Sequence, residues 1–508
     1  MKVNQKKAGV LLTYLAQGIH IISGLLYTPI MLRLLGQSEY GLYQLVASVV
    51  SYLSVLSLGF NSSYMRFYTR IKKNGDEKAV ARFNGMFMTI FLVISVICLL
   101  CGAVMLGNIR WVFGSGLTES EYAKAKILLA LMVFNLALTF PTSVYDSFMA
   151  SQEKFLLQRL LRVLQYLFNP FITLPLLIMG YGSVAMVLVT TGLSIAKLLS
   201  SMIYCIKTLK IPMEFRGFQF GLLKEMWVFT FFIFVNMIVD QINWSVDKFL
   251  LGRLSGTVAV AVYGVGGQLN NMYQQISTAV SNVFIPQVNR IVVEDNDDVA
   301  LTRLFTKVGR VQFILLSMIV TGFIFLGKSF ISLWAGSEYN EAYYITLLLI
   351  VPETIPFIQN LGIEIQRAKN MHRARSVVYL CIAIGNVLLS IPLIKIWGPS
   401  GAALGTAISL ILGNCLFMNY YYYKKIGLDI IYFWKQILKF APAFIAPVAL
   451  GIYIFNWWNM ATFSRFLAAG CCYLAVFVIS MWFLGMNENE KRMVLGPLQK
   501  ILRRAKKG

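Results

Sequence analysis

The chain is short of charge, and shorter still of acid. Only 13% of its 508 residues are charged, 22 of them acidic and 45 basic, where a soluble domain carries about a quarter. It has two histidines and seven cysteines. The cysteines fall mostly inside apolar runs, and none forms a CxxC pair with partner histidines, so no metal or redox site is written in them. Cys98 and Cys101 read as small apolar residues on one helix. There is no Walker A sequence, so ATP does not drive this protein directly. Nor is there an exposed carboxylate pair or a Ser/His/Asp set placed for catalysis, and no catalytic residue or cofactor is expected. The net charge of +23 would suggest nucleic acid in a soluble protein. Here the basic residues sit in short gaps between apolar runs, which excludes that reading.

What is there is apolar surface: 58% hydrophobic residues and a mean hydropathy of +0.68. Windows long enough to cross a bilayer fall near 9–32, 41–62, 84–107, 124–149, 158–179, 183–206, 223–250, 257–284, 309–334, 342–366, 376–396, 400–422, 436–456 and 463–485. That predicts an all-α integral membrane protein of about fourteen helices. The largest gaps, near 108–123, 207–222 and 285–308, hold no soluble domain. Lys2, Lys6 and Lys7 before the first window mimic a signal peptide, but the run to Leu35 is too long and lacks an A-x-A site. It reads as a retained helix. Lys and Arg alternate between ends, 35 on one side and nine on the other, with Lys197 inside a helix. The rule that basic loops stay inside then places both termini in the cytoplasm.

The chain also repeats. Asn169-Pro170-Phe171-Ile172-Thr173-Leu174-Pro175 matches Asn386-Val387-Leu388-Leu389-Ser390-Ile391-Pro392. Leu34-Leu35-Gly36 with Tyr40-Gly41-Leu42-Tyr43-Gln44-Leu45 echoes Leu250-Leu251-Gly252 with Tyr263-Gly264 and Gln268-Leu269. An even number of helices per repeat predicts two six-helix bundles related by a pseudo-two-fold axis along the membrane normal. The boundaries expected are 1–215 and 216–425, with two extra helices and a basic tail over 426–508.

Those motifs carry a resemblance. Leu34-Leu35-Gly36-Gln37-Ser38-Glu39-Tyr40-Gly41-Leu42-Tyr43, and Asp247-Lys248-Phe249-Leu250-Leu251-Gly252 with Val262-Tyr263-Gly264, are similar to those of polysaccharide-biosynthesis flippases of the multidrug/oligosaccharidyl-lipid/polysaccharide superfamily. The resemblance covers the whole chain. It implies export of a lipid-linked oligosaccharide across a bacterial cytoplasmic membrane, with the sugar crossing a cavity between the bundles. The implied partners are membrane lipids, a polysaccharide polymerase and glycosyltransferases. A drug or small-cation antiporter of the same superfamily is the alternative, and a membrane glycosyltransferase or polymerase lies further off.

Ionisable residues inside a membrane each demand a reason. Lys197 either faces a hydrated cavity, where its ammonium would hold a pyrophosphate, or snorkels to the surface. Asn236, Asp240 and Asn243 form one stripe at i, i+4 and i+7. Asp240, and Glu353 between Pro352 and Pro356, are the candidates for H⁺ or Na⁺ coupling, with a buried structural acid as the plainer reading of Asp240. The prolines are expected to kink their helix. Arg66 and Arg70 either gather anionic headgroups or anchor a cytoplasmic end. Gln268, Asn270, Asn271, Gln274, Gln275, Ser277 and Ser281 are expected along one side of the eighth helix, facing a sugar cavity with Tyr263 and Tyr273, with packing against another polar helix as the plainer reading. Asp247 and Lys248 read as architectural, Glu364 as a partner of Arg367, and His20 as a satisfied helix–helix hydrogen bond.

Overall fold

In lipid, every backbone N–H and C=O must find its partner within the chain, so apolar runs of this length fold as helices. The computed structural model describes residues 5–495 apart from 74, 115, 219, 295, 296, 370, 461 and 494. Lys2 and the basic tail beyond 495 lie outside the described residues. The described secondary structure is helical, without a strand. Among the described residues, nine helices are long and apolar enough to cross a membrane, or eleven when two bent pairs are each taken as one crossing. Two of the nine, Leu15–Ser57 and Arg375–Ile426, are each interrupted by a glycine with positive φ, Gly36 at 74° and Gly398 at 55°. With the polar helix Thr257–Glu294, the count is consistent with about fourteen passes.

The chain divides into two compact units. The first comprises residues 1–264 and 391–402, and the second 265–390 and 403–508. The first unit contains α1 (Gln5–Leu53), α2 (Phe60–Lys73), α3 (Glu77–Gly107), α4 (Ile109–Phe113), α5 (Glu119–Ser151), α6 (Phe155–Ile178), α7 (Gly182–Ile203), α8 (Phe220–Leu254) and the start of α9 (Thr257–Glu294). Residues 216–264 therefore group with the first unit. Polar caps begin these helices: Asp76 accepts from the N–H of Ala79, and Thr118 with Glu121 closes a capping box.

Helix α3 shows how packing sorts its faces. Val93, Val96, Ile97, Leu100 and Val104 are exposed, as a lipid-facing stripe should be. Phe91, Ser95 and Cys98 are buried on the other side. Ser95 donates to the carbonyl of Ala137 on α5 at 2.9 Å, and Gly102 leaves room for Val133. Small residues let the two backbones approach, and van der Waals contact replaces a hydrophobic drive that lipid does not supply.

The two sequence motifs meet inside the first unit. Lys248 donates to Gln44 at 3.0 Å, and Gln44 donates to the hydroxyl of Tyr40 at 2.7 Å. Tyr263 donates to the buried carboxylate of Asp247 at 2.7 Å. Asp247 and Lys248 thus hold helices together, as an architectural role requires. Gly41 lies against the backbone of Thr257 so closely that a Cβ there would overlap the Thr257 carbonyl. Gly41→Ala should therefore force α1 and α9 apart and cost about 1–3 kcal/mol, read as a lower thermal unfolding midpoint in detergent. An unchanged midpoint would rule the contact out.

The second unit holds the rest of α9, then α10 (Asp298–Trp334), α11 (Ala342–Ile358), α12 (Leu361–Ala368), α13 (His372–Leu410) apart from its residues 391–402, α14 (Met418–Tyr421), α15 (Ile430–Leu438), α16 (Ile445–Trp457) and α17 (Phe463–Ser480). One core joins Phe305, Val308, Ile358, Tyr422 and Phe433. A second joins Ile314 and Leu326 of α10 to Phe440, Ile454, Tyr473 and Phe477, seating the last helices against α10. Between α11 and α12 the chain bends by 46°. The prolines stay inside α11 and the break falls after Ile358, so the kink expected at Pro352 and Pro356 lies just beyond them. Arg367 pairs with Glu364 at 2.7 Å, as their spacing predicts.

Candidate functional site

Three antiparallel helices of the first unit carry polar residues at the same depth. On α7 Thr190 and Lys197 are seven residues apart, on α5 Thr139 and Asp146, and on α6 Arg162 and Asn169. Seven residues are two turns, about 10 Å of rise on one face. Because α5, α6 and α7 alternate in direction, the three offsets produce two layers. One holds Thr139, Asn169 and Thr190, and the other holds Asp146, Arg162 and Lys197, nearer the basic loops.

In the uncharged layer Asn169 donates to the hydroxyl of Thr190 at 3.1 Å. A cavity of about 260 Å³ opens there, lined by Tyr43, Ser51, Asn135, Thr139, Val187 and Thr190. The side-chain oxygen of Asn135 is buried without a hydrogen-bond partner. Beside this layer the ring of His20 lies 4.5 Å from that of Tyr166, a ring contact between helices where a hydrogen bond was expected.

In the charged layer Lys197 Nζ lies 3.0 Å from Asp146 Oδ2, with side-chain exposures of 19% and 17%. Lys197 is thus an ion-paired residue, which neither sequence reading anticipated. Asp146 Oδ1 is buried without a hydrogen bond. Arg159 is within electrostatic range of both Arg162 and Asp146. Two cations, Lys197 and Arg159, therefore act on one carboxylate, with Arg162 close to Arg159, leaving an excess of positive charge that must be hydrated or met by an anion. Asp146 was missed in the sequence because it lies near a helix end. Its seven-residue spacing from Thr139, within an apolar window, was the available signal.

Elsewhere in this unit Arg66 stacks its guanidinium 4.5 Å from the ring of Phe229, and Arg70 makes a two-pronged bond to Glu225 at 2.5 and 2.7 Å. On α8, Asn236 and Asn243 are half-buried and Asp240 is exposed. The face of α8 against α1 is a different one: Ser245 lies 2.9 Å from Ser51, and Gln241 bonds Ser54 at 3.5 Å.

The second unit splits the polar residues of α9 between two faces. Asn270, Tyr273, Ser277 and Ser281 are buried. Asn270 hydrogen-bonds Glu353, Tyr273 bonds Thr354 at 2.7 Å, and Ser277 donates to the Phe357 carbonyl at 2.8 Å. Gln312 of α10 donates to Ser281 at 2.7 Å. Asn271 is exposed and Gln274 and Gln275 are half-buried. The one-sided amide stripe is corrected accordingly: at 100° per residue, 270 and 271 point apart. Asn270 belongs to an internal network, and Asn271, Gln274 and Gln275 form the accessible set.

The family model for polysaccharide biosynthesis proteins matches residues 7–292. The chain is 21% identical over 501 residues to the membrane protein EpsK of Bacillus subtilis (strain 168), covering 93% of this chain and 94% of that one. It is 23% identical over 177 residues to the probable flippase AglR of Haloferax volcanii, covering 34% and 37%. Among solved structures, the lipid II flippase MurJ in an inward-closed conformation aligns with a TM-score of 0.71 at 18% identity, covering 93% and 97%. An inward-facing multidrug resistance MATE family transporter of the MOP superfamily aligns with a TM-score of 0.58 at 13% identity, covering 84% and 95%. At these identities the structural likenesses establish the fold alone, an all-helical multi-pass bundle.

Proposed function

The chain belongs to the polysaccharide biosynthesis protein family, and from that premise we propose that it is a flippase for a lipid-linked oligosaccharide or polysaccharide precursor. It moves a polyprenyl-pyrophosphate-linked glycan from the cytoplasmic to the outer leaflet by alternating access. The observation that carries this reading is the excess of cations at Lys197, Arg159 and Arg162, beside a polar cavity inside an apolar bundle. A pyrophosphate supplies the anion such a layer calls for, while neutral amides of the same unit, Asn236 and Asn243, bind sugar hydroxyls without adding charge. Arg66 gathers anionic headgroups, and the polyprenyl tail stays in lipid. A cation antiporter would instead want an acidic cavity, which this layer opposes.

The 35-to-nine distribution of basic residues supports cytoplasmic termini in a bacterial cytoplasmic membrane. Glycosyltransferases on the inner side and a polymerase on the outer side are the partners this placement implies. Cells lacking the protein should accumulate lipid-linked glycan units on the inner leaflet, protected from an externally added glycosidase. Units appearing singly outside would mark a polymerase instead and overturn the reading.

A further inference from the structure

In the second unit a buried carboxyl group and a buried amide share one hydrogen bond, and each keeps an oxygen without a partner. Glu353 and Asn270 are 2% and 1% exposed, and Asn270 hydrogen-bonds Glu353. Yet Glu353 Oε2 and Asn270 Oδ1 both lack a partner. The existing bond therefore runs from the amide nitrogen to Oε1. Of the two atoms left over, an amide oxygen and an ionised carboxylate oxygen are both acceptors only. Two buried acceptors left without any donor are an arrangement that folded proteins avoid.

The surroundings offer no compensating charge. No charged side chain among the described residues acts electrostatically on Glu353. The ionisable neighbours are neutral and engaged. From α9, the Tyr273 hydroxyl bonds Thr354 at 2.7 Å. From the helical segment Ile411–Phe417, the Cys415 thiol donates to the Pro352 carbonyl at 3.5 Å. That carbonyl is free because Pro356, four residues on, has no N–H to give it. Arg310 of α10 is committed to Glu490. The carbonyl released by Pro356 thus finds a donor, and the leftover oxygens of the acid–amide pair do not.

We propose that Glu353 is protonated in this conformation, its Oε2–H donating to Asn270 Oδ1, and that this pair is the proton-carrying site of the transport cycle. One proton closes acid and amide into a ring of two hydrogen bonds and removes the charge from the membrane interior. Its loss, as Glu–COOH gives Glu–COO⁻ and a proton to water, leaves two acceptors facing one another. The packing of α9 on α11 is then favoured only while the proton is bound, so proton exchange biases the conformational cycle. What the proton is coupled to rests on the flippase reading; the pair itself does not.

Purified full-length protein in lipid nanodiscs should show a protonated-carboxyl infrared band at neutral pH that is absent in Glu353→Gln. In that variant an amide N–H replaces the carboxyl O–H, so it should keep the wild-type unfolding midpoint. In proteoliposomes, with lipid-linked oligosaccharide extracted from the host's own membranes as probe, a one-unit pH gradient should drive about tenfold accumulation for one coupled proton. Glu353→Gln should equilibrate the probe without responding to the gradient. Absence of the band from the wild type would overturn the protonated pair. An undiminished gradient response in Glu353→Gln would overturn its coupling role. A protein that shows the band but moves no probe would overturn the flippase reading while leaving the acid–amide pair in place.

Discussion

Reversing Lys197 to Glu should abolish glycan export while the protein still reaches the membrane. The substitution puts a carboxylate where Lys197 Nζ now lies 3.0 Å from Asp146, and it turns the local charge from three cations and one anion into two and two. That alone would not separate a binding role from a structural one, because a broken ion pair also destabilises. The asymmetry of the pair does. A bridge that only ties α5 to α7 fails equally from either side. An anion site fails when a cation is lost and tolerates the loss of its acid. Asp146→Asn should therefore retain most of the export activity, whereas Lys197→Met should reduce it by about tenfold, the equivalent of 1.4 kcal/mol in binding. Immunoblots of membrane fractions control for insertion, since an unpaired charge costs about 2.5–3.5 kcal/mol at a helix centre. Equal losses in Asp146→Asn and Lys197→Met at equal protein levels would sink the anion-site interpretation.

The passes of the chain were legible in its sequence because hydropathy and loop charge are local signals that add along the chain. The repeat extends to turn glycines: Gly398 follows Gly182 by 216 positions, the offset that also separates Leu34-Leu35-Gly36 from Leu250-Leu251-Gly252, and both have positive φ. Partnership was not legible. Lys197 announced itself as a membrane charge, but its partner lies 51 residues earlier on a helix whose register against α7 no periodicity specifies. The amides of α9 show a different failure. Counting polar residues suggested one face, while the helical angle already divides Asn270, Tyr273 and Ser277 from Asn271 and Gln275. Only the packing of α11 decided which set would be buried. The displaced bend has a similar origin. The carbonyls near Pro352 and Phe357 are held by Cys415 and Ser277, so α11 stays intact through its prolines and breaks one turn later.

Arg310 is where counting charges misleads most, and removing it should be the most damaging single change to stability. In a tally of basic residues it is one more member of a cytoplasmic loop. In the fold it is 5% exposed, bound to Glu490 through Nε at 2.6 Å, and within 4.2 Å of the ring centre of Phe440. It also donates to the carbonyls of Gln436 and Gly485. One guanidinium thus satisfies the carboxylate and two backbone oxygens, and it ties the segment after α17 to α10 across 180 residues of chain. Arg310→Met keeps much of the side-chain volume and removes every donor. The stranded carboxylate should cost about 3–5 kcal/mol, seen as a large drop in the unfolding midpoint in detergent. The double variant Arg310→Met with Glu490→Met removes the stranded charge as well and should recover more than half of that loss, because a buried pair taken out whole is often neutral in stability. A single variant as stable as the wild type would mean that the last helices hold through their apolar core alone. A double variant no better than the single would mean that the guanidinium acts chiefly through the two carbonyls rather than through Glu490.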